Sequence, residues 1–287
     1  MKLEGKADIG IIGGTGSGVE LDNIEDIKVY TPYGNTSDFV KVGEFKGKKV
    51  AFISRHGAGH TMPPHKVNSR TNLWALKELG VKYIISPSAV GSLKKEHDKR
   101  KFVMVDQYID RTKKRFDTFY EGGQVCHISQ ADPYCSYLNK LFYETGKSIE
   151  GLEIQNGGTY VCIEGPRFST RAESKMFRQW GGDIIGMTTY PEVVLAAEKE
   201  ICYCCIAMVT DLDVWAGECS ICGVVEVQEK CAKCGGPVEK LAVSIEEILG
   251  TMEKNANSLK KMLELTIPKI DTERDCACKH TLAGAII

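Results

Sequence analysis

The segment Ile9-Gly10-Ile11-Ile12-Gly13-Gly14-Thr15-Gly16-Ser17-Gly18 joins an apolar run to a loop of glycines. A short apolar run that ends in a turn signal predicts a strand buried inside a sheet. In such a loop, backbone N–H groups can approach an oxyanion closely. The dinucleotide fingerprint is incomplete, because Val19 stands where its third glycine belongs, and no Lys-Ser/Thr pair completes a nucleotide-binding loop. Two interpretations stay open: a tight turn, or a small phosphate held by the loop and Thr15.

The rest of the chain alternates short β-branched runs with longer helical patterns, which predicts an α/β fold with a mixed or mainly parallel sheet. Strands are predicted over residues 8–12, 39–45, 49–54, 82–86, 102–106, 159–163, 183–187 and 203–209, and helices over residues 68–79, 134–147, 171–180, 191–200 and 245–265. Lys46-Gly47-Lys48 predicts a hairpin turn, and Thr170 with Glu173 fits a helix capping box. Residues 216–241, rich in Cys, Gly, Glu and Lys, interrupt this pattern, so we expect residues 1–287 to form one domain that carries them as an insertion.

Charge and hydropathy exclude several classes of partner. Thirty-seven Lys and Arg residues balance 38 Asp and Glu residues, which leaves a formal charge of -1 and no basic field to attract nucleic acid or an anionic membrane. No apolar run approaches the ~18 residues that span a bilayer, and residues 1–8 are mostly polar. We therefore expect a cytoplasmic protein that binds neither nucleic acid nor membranes.

Basic and hydroxyl-bearing residues follow several of the predicted strands. Arg55 and His56 come directly after one strand, and an Arg at a strand end offers a planar fork for two phosphate oxygens. The segment from Ser86 to Ser92 and the segment Met187-Thr188-Thr189 are two further exits from strands into loops. Because such exits meet along one rim of an α/β sheet, we expect them to form a site for a small anion.

Thr210-Asp211-Leu212-Asp213 is a fourth predicted strand exit, and it carries two carboxylates at a spacing of two residues. In an extended chain this spacing directs both side chains to the same face. Like charges so close resist joint ionisation, so one carboxyl can keep its proton near neutral pH and donate it to a poor leaving group. A solvated turn and a divalent-metal site are the alternatives for this pattern.

The chain contains twelve cysteines, four of which form two matched C-x-x-C-G turns in the insertion. Cys219, Cys222, Cys231 and Cys234 can close a tetrahedral shell, which predicts a structural metal, zinc or alternatively iron, since four thiolates leave no open position. Disulfides between the same residues remain an alternative. The other cysteines are interpreted as buried thiols or disulfides: Cys126, Cys135, Cys162, Cys202, Cys204, Cys205, Cys276 and Cys278.

Long motifs in these segments resemble those of the methylthioadenosine phosphorylases, within the trimeric purine nucleoside phosphorylase group. They are Gly10–Gly16, Arg55-His56-Gly57, Asn72–Lys77, Ala89–Leu93, Ile163–Ser174, Met187–Glu192 and Thr210–Trp215. The resemblance runs from about Asp8 to Ile270 apart from the insertion. It implies a nucleoside-phosphorylase fold, in which helices flank a central mixed β-sheet, with the small zinc-ribbon-like insertion added.

The resemblance also implies site residues. Phosphate would be bound by Thr15, Arg55, His56, Ser88, Ala89 and Thr188. The nucleoside would lie against Met187 and Phe168, with Asp211 and Asp213 facing N7 and the 6-amino group and with Ser169, Ile245 and Ile248 shaping the pocket. His127 would reach the 5′ site of a neighbouring subunit in a homotrimer or a dimer of trimers.

The implied reaction is the phosphorolysis of S-methyl-5′-thioadenosine to adenine and 5-methylthioribose 1-phosphate. Inorganic phosphate is then the co-substrate, and no catalytic cofactor is expected. An Asp at position 211 favours 6-aminopurines, because relatives that prefer 6-oxopurines tend to carry Asn there. The alternatives are a methylthioinosine or broader purine nucleoside phosphorylase, and a zinc-ribbon binding module that has lost catalysis.

Overall fold

An eleven-stranded sheet forms the centre of the part of the chain that this computed structural model describes, residues 3–14, 19–224, 230–238 and 245–287. The strands are β1 (Ile9–Gly13), β2 (Asp22–Ile27), β3 (Val40–Phe45), β4 (Lys48–Ser54), β5 (Tyr83–Ser92), β6 (Phe102–Met104), β7 (Gln107–Arg111), β8 (Ile154–Asn156), β9 (Thr159–Ile163), β10 (Ile184–Gly186) and β11 (Cys202–Leu212). The helices are α1 (Ser69–Glu78), α2 (Ser136–Lys147), α3 (Arg171–Gln179), α4 (Thr189–Glu198) and α5 (Ile245–Thr266). The predicted alternation of strands and helices is therefore confirmed.

The strand order is β2-β3-β4-β1-β5-β10-β9-β7, while β11 pairs with both β5 and β6, and β6 also pairs with β8. β5 and β11 run parallel from the pair Tyr83 and Cys202 to the pair Ser92 and Leu212. β1 is parallel to β4 and β5, whereas β10 is antiparallel to β5, so the sheet is mixed.

Helices cover both faces of this sheet. Because successive strand residues point to opposite faces, Ile9 and Ile11 join one apolar cluster and Ile12 joins another. α1 and α4 contribute to the cluster of Ile12, and α2 and α5 contribute to that of Ile9 and Ile11. Burial on both sides explains why β1 and most of β11 appear in the sequence as continuous apolar runs rather than as alternating patterns.

Three strands were not predicted from the sequence: β2, β7 and β8. All residues of β2 except Ile27 are exposed, and β7 and β8 have no fully buried residue. Without a buried face, none of the three shows the apolar pattern on which a strand prediction depends. The predicted hairpin between β3 and β4 and the capping box of Thr170 and Glu173 are confirmed.

The prediction that the segment from Ser86 to Ser92 is a loop was wrong, because it belongs to β5. This segment contains Pro87, and proline cannot donate to a sheet ladder. However, β1 pairs with β5 only as far as Ile85, and β10 pairs with it only at Gly91 and Ser92. Pro87 therefore lies where β5 has a neighbour on one side alone, and the missing N–H costs no hydrogen bond.

β11 also extends further than predicted, through Leu212, so Asp211 lies within the strand rather than after it. The register against β5 shifts between Val209 and Asp211, which marks a bulge just before this carboxylate. Among the described helices, none is both long and apolar enough to cross a lipid bilayer.

Candidate active site

A cavity of about 270 Å³ opens beside β5, at the gap between the end of β1 and the start of β10. Pro87, Ser88, Ala89 and Val90 line it from β5. Small ligands of α/β proteins bind in such crevices, where the neighbours of a strand change. The shared rim predicted from the strand exits is therefore present as a cavity.

The cavity brings together most of the residues singled out in the sequence: Arg55, His56, Ser88, Ala89, Phe168, Ser169, Met187, Thr188, Asp211 and Asp213. Thr15 lies outside the described residues, as do the side chains of Ile245 and Ile248. His127 lines a different and wider groove, beside the C-terminal residues. The individual roles assigned to these residues stay predictions.

Three hydroxyl groups meet at one end of the cavity. Ser88 Oγ lies 2.8 Å from Thr188 Oγ1 and 3.0 Å from the hydroxyl of Tyr160. The backbone N–H of Thr188 also donates to the Tyr160 hydroxyl, at 3.3 Å. The sequence analysis did not single out Tyr160, because it lies inside a predicted strand, β9. The one feature of the sequence that points to it is the glycine at position 186. A Cβ on Gly186 would lie 2.0 Å from the Tyr160 hydroxyl oxygen, so only glycine leaves room for this ring.

Arg55 also lines the cavity, but it is buried, and other protein groups already accept most of the hydrogen bonds of its guanidinium group. Its Nε donates to Glu192 Oε1 at 2.6 Å, and its Nη2 donates to Ser86 Oγ and to the carbonyl of Ile12. Burial alone would lower the pKa of Arg55, but the Glu192 carboxylate outweighs this effect and raises it. Nη1 donates to Pro87 O, so among the described contacts one Nη1 hydrogen remains for a ligand oxygen.

His56 is neutral at physiological pH in this environment. Burial and the positive charge of Arg55 lower the pKa of His56 from 6.5 to about 4. Its Nδ1 lies 2.9 Å from the carbonyl of Met62, which can only accept, so Nδ1 carries the proton. Nε2 is then a hydrogen-bond acceptor. His56 can accept from the hydroxyl of a monoprotonated phosphate, but it contributes no positive charge.

The two carboxylates lie at the other end of the cavity, since Asp211 pairs with Gly91, three residues beyond Ser88 on β5, and their surroundings differ. Ser169 Oγ lies 2.7 and 2.8 Å from the two oxygens of Asp213, and this hydroxyl orients the carboxylate. Asp211 Oδ1 accepts from Thr210 Oγ1 at 2.6 Å. Burial raises the pKa of Asp211 from 3.8 to about 6, the Thr210 hydrogen bond opposes this, and the charge of Asp213 adds to it. The prediction named like-charge repulsion as the cause, whereas burial is the larger effect.

The wall between the two ends is apolar and partly open. Phe168 is 69% exposed at the mouth of the cavity, so its ring is available to stack on a ligand. The Met187 carbonyl accepts from Arg115 Nη1 at 2.8 Å. Arg115, far away in the sequence, also donates to the Glu164 carbonyl, and thereby ties the two segments that carry Phe168 and Met187.

Helix α5 closes the cavity with Met252, Asn255, Ala256 and Leu259. The amide nitrogen of Asn255 donates to the carbonyl of Val209, one residue before the bulge that precedes the carboxylates. Its Oδ1 is buried and has no partner within the described part of the chain. Nothing in the sequence distinguished Asn255 from the polar face of a helix.

The described parts of the insertion form the two expected turns. Gly223 and Gly235 have φ values of 68° and 69°, and their N–H groups donate to the carbonyls of Cys219 and Cys231. The four Sγ atoms all lie within 4.8 Å of one another, with Cys219–Cys234 and Cys222–Cys231 separations of 3.5 Å. These four cysteines could hold a metal ion. Glu218 joins the insertion to α3 through ion pairs with Arg171 and Lys175.

Comparisons with known proteins agree with this geometry. The sequence profile described as the phosphorylase superfamily matches residues 8–261. The chain is 49% identical to S-methyl-5′-thioadenosine phosphorylase of Pyrococcus furiosus over 274 residues, 96% of this chain and 97% of that protein. It is 46% identical to the protein of the same name in Hyperthermus butylicus, covering 98% of this chain and 96% of that protein.

Two solved structures are similar along nearly the whole chain. A methylthioadenosine phosphorylase from an antarctic soil metagenomic library has a TM-score of 0.86 at 39% identity, over 99% of this chain and 93% of that chain. A variant of adenosine/methylthioadenosine phosphorylase of Schistosoma mansoni, in complex with methylthioadenosine, has a TM-score of 0.81 at 29% identity, over 98% of this chain and 99% of that chain. The predicted nucleoside-phosphorylase fold is therefore confirmed.

Proposed function

The chain belongs to the phosphorylase superfamily, and on that premise we propose that it catalyses the phosphorolysis of S-methyl-5′-thioadenosine to adenine and 5-methylthioribose 1-phosphate. The protein is then a pentosyltransferase of purine and methionine salvage. One observation carries the proposal: a single cavity has the hydroxyls of Ser88 and Thr188 at one end and the carboxylates of Asp211 and Asp213 at the other.

The proposed reaction needs a group at each end of this cavity. A phosphate oxygen forms a bond to C1′ of the sugar, the C1′–N9 bond breaks, and its electron pair moves to the purine. Positive charge develops on the sugar and negative charge on the base, so an anion at C1′ and a proton donor at N7 stabilise the transition state from both sides. In this proposal Ser88, Thr188 and the remaining Nη1 hydrogen of Arg55 bind the phosphate.

Asp211 is the better placed of the two acids to protonate N7. Its raised pKa, about 6, lies close enough to neutrality for the carboxyl both to hold and to release a proton. Asp213, oriented by Ser169, keeps lone pairs that can accept from the exocyclic 6-amino group of adenine. This arrangement supports a 6-amino substrate over methylthioinosine. Phe168 and Met187 supply the apolar surface for the base and the sugar.

The proposal is tested with a panel of nucleosides, each assayed with and without phosphate. We expect adenine release from S-methyl-5′-thioadenosine only when phosphate is present, and slower release of hypoxanthine from methylthioinosine. Faster cleavage of methylthioinosine would establish the 6-oxopurine alternative. Absence of phosphate-dependent base release from every nucleoside would sink the proposal and favour a binding module that has lost catalysis.

We also propose that the insertion holds a structural zinc ion that orders a flap over the nucleoside. The support is the convergence of Cys219, Cys222, Cys231 and Cys234, together with the ion pairs that join Glu218 to the helix following Phe168 and Ser169. Cys219→Ser or Cys231→Ser should remove the metal and raise KM for the nucleoside more than for phosphate. Protein that contains neither zinc nor iron, with these thiols paired as disulfides, would overturn the proposal.

Three further expectations remain proposals. His127 lies in a groove away from the cavity, which is compatible with a role in the nucleoside site of a neighbouring copy in a homotrimer or a dimer of trimers. We propose that residues 1–287 act as one catalytic domain with residues 216–241 inserted in it. The substrates are small soluble molecules, so a cytoplasmic location is proposed.

A further inference from the structure

The hydroxyl of Tyr160 lies directly behind the end of the cavity where the phosphate is proposed to bind. Tyr160 belongs to β9, and its side chain is fully buried in the apolar cluster of Ile12. Its Oη lies 3.0 Å from Ser88 Oγ and 3.4 Å from Thr188 Oγ1, while these two oxygens are 2.8 Å apart. We call these three groups the hydroxyl set. Ser88 and Thr188 line the cavity, whereas Tyr160 has no exposed surface with which to touch a ligand.

The hydrogen bonds of the hydroxyl set have a fixed direction. The backbone N–H of Thr188 can only donate, so Tyr160 Oη accepts from it at 3.3 Å. Among the described contacts, the phenol hydrogen can then go to either of the other two oxygens, and Ser88 Oγ is the nearer. Burial raises the pKa of Tyr160, so the phenol keeps this hydrogen throughout the physiological pH range. Ser88 Oγ therefore accepts from Tyr160 and has its own hydrogen for another partner.

We propose that Tyr160 is a positioning residue of the phosphate site, whose hydroxyl donates to Ser88 and thereby leaves the hydrogens of Ser88 and Thr188 for the anion. The proposal deepens the proposed function and rests on it for the identity of the anion. Three hydroxyls carry three hydrogens, and that of the phenol stays within the set. Without it, Ser88 Oγ and Thr188 Oγ1, at a normal hydrogen-bond distance of 2.8 Å, would keep one of their own hydrogens between them. The phenol thus adds one hydrogen bond to the bound anion.

The phenol also holds the backbone that carries Thr188. Gly186, immediately before Met187, leaves room for the ring, since a Cβ there would lie 2.0 Å from Tyr160 Oη. The peptide group between Met187 and Thr188 is bound at both ends: its N–H donates to Tyr160 Oη, and its carbonyl accepts from Arg115 Nη1 at 2.8 Å. This peptide therefore has its orientation before any ligand arrives, and phosphate binding does not have to order it.

The first test is Tyr160→Phe, which removes the hydroxyl and keeps the ring. We expect KM for phosphate to rise about tenfold, which corresponds to the loss of one hydrogen bond, while KM for the nucleoside and kcat at saturating phosphate change little. The matched control is Tyr134→Phe, because that ring is also buried and its hydroxyl lies 2.7 Å from Thr189 Oγ1, outside the hydroxyl set. The control should leave KM for phosphate unchanged. An equal rise in both variants, or no rise in Tyr160→Phe, would overturn the proposal.

A double-mutant cycle with Ser88→Ala separates an effect through Ser88 from a general effect on packing. The phenol hydrogen matters because Ser88 Oγ accepts it, so Tyr160→Phe should raise KM for phosphate much less in the Ser88→Ala background than in the wild type. The same fold-change in both backgrounds would mean that Tyr160 acts only on the fold, and the positioning role would be refuted.

Calorimetric titration of ligand-free protein with inorganic phosphate makes the test independent of phosphorolysis. We expect Kd for phosphate to rise about tenfold in Tyr160→Phe and to stay unchanged in Tyr134→Phe. If this result is obtained with protein that cleaves no nucleoside, the proposed function fails and the role of Tyr160 stands. If the protein cleaves nucleosides with phosphate and Kd is the same in both variants, the role of Tyr160 fails and the proposed function stands. Where thermal unfolding shows that Tyr160→Phe does not fold, Tyr160→Met replaces it, because its flexible side chain fills the same space without a hydroxyl.

Discussion

Replacing Asp211 with Asn should abolish most of the activity and, at neutral pH, make the protein more stable. Burial in the cavity destabilises the ionised form of the carboxyl group and thereby raises its pKa from 3.8 to about 6. Asn has nearly the same shape and can still accept the hydrogen bond from Thr210 Oγ1. The substitution therefore removes a buried charge and leaves the packing in place.

The magnitude follows from the shift in pKa. Well below pH 3.8 the carboxyl is protonated in both the folded and the unfolded chain, so its ionisation has no effect on stability. Between pH 3.8 and about 6 the unfolded chain loses the proton first, and the penalty on the folded state grows through this window and is complete above it. About two pKa units correspond to roughly 3 kcal/mol, which partial solvent access to Asp211 reduces to about 2 kcal/mol.

Thermal unfolding of the ligand-free protein measures this effect. At about pH 8, Asp211→Asn should raise Tm by roughly 4–8 °C, and at about pH 4 the difference should shrink to a small fraction of that. At neutral pH, kcat/KM for S-methyl-5′-thioadenosine should fall by about 10²-fold or more, while KM for phosphate changes little. Asp26→Asn, at an exposed position on β2, is the matched control and should leave both quantities unchanged. An equal or negative change in Tm at both pH values, or full activity, would refute the reasoning.

Four other substitutions test separate parts of the structure. Ser88→Ala should raise KM for phosphate more than KM for the nucleoside, and Ser169→Ala should raise KM for the nucleoside more than KM for phosphate. Initial rates in which both variants change the same KM would contradict the division of the cavity into a phosphate end and a base end. Gly186→Ala should destabilise the fold by about 1–3 kcal/mol in denaturant unfolding, because its Cβ would lie 2.0 Å from the Tyr160 hydroxyl oxygen, and an unchanged midpoint would count against this packing. His127→Ala should raise KM for the nucleoside about tenfold, which corresponds to the loss of one hydrogen bond. If light scattering shows that the fully active protein is a monomer, His127 has no role across an interface.

Local patterns in the sequence were enough to predict the class of fold and several of the residues that line the cavity. A strand buried on both faces needs a continuous apolar run, and the residues after such runs collect at one edge of the sheet, so Arg55, His56 and Thr188 could be assigned to one site in advance. The same logic failed for β2, which is polar and exposed. It also failed at Pro87, because a strand tolerates a proline only where no neighbouring strand needs its N–H.

Only the tertiary structure decided how these groups are tuned, because the deciding partners are distant in the chain. Arg55 is bound by Glu192, 137 residues away, so its guanidinium is mostly committed before any ligand arrives. The proton affinity of Asp211 depends mainly on burial, which no spacing of two residues can reveal. Cys135 and Cys276 meet across 141 residues, whereas the cysteines of the insertion could be grouped from their spacing alone. Sequence patterns report what neighbours along the chain do, while burial and long-range pairing arise only when the strands are brought together.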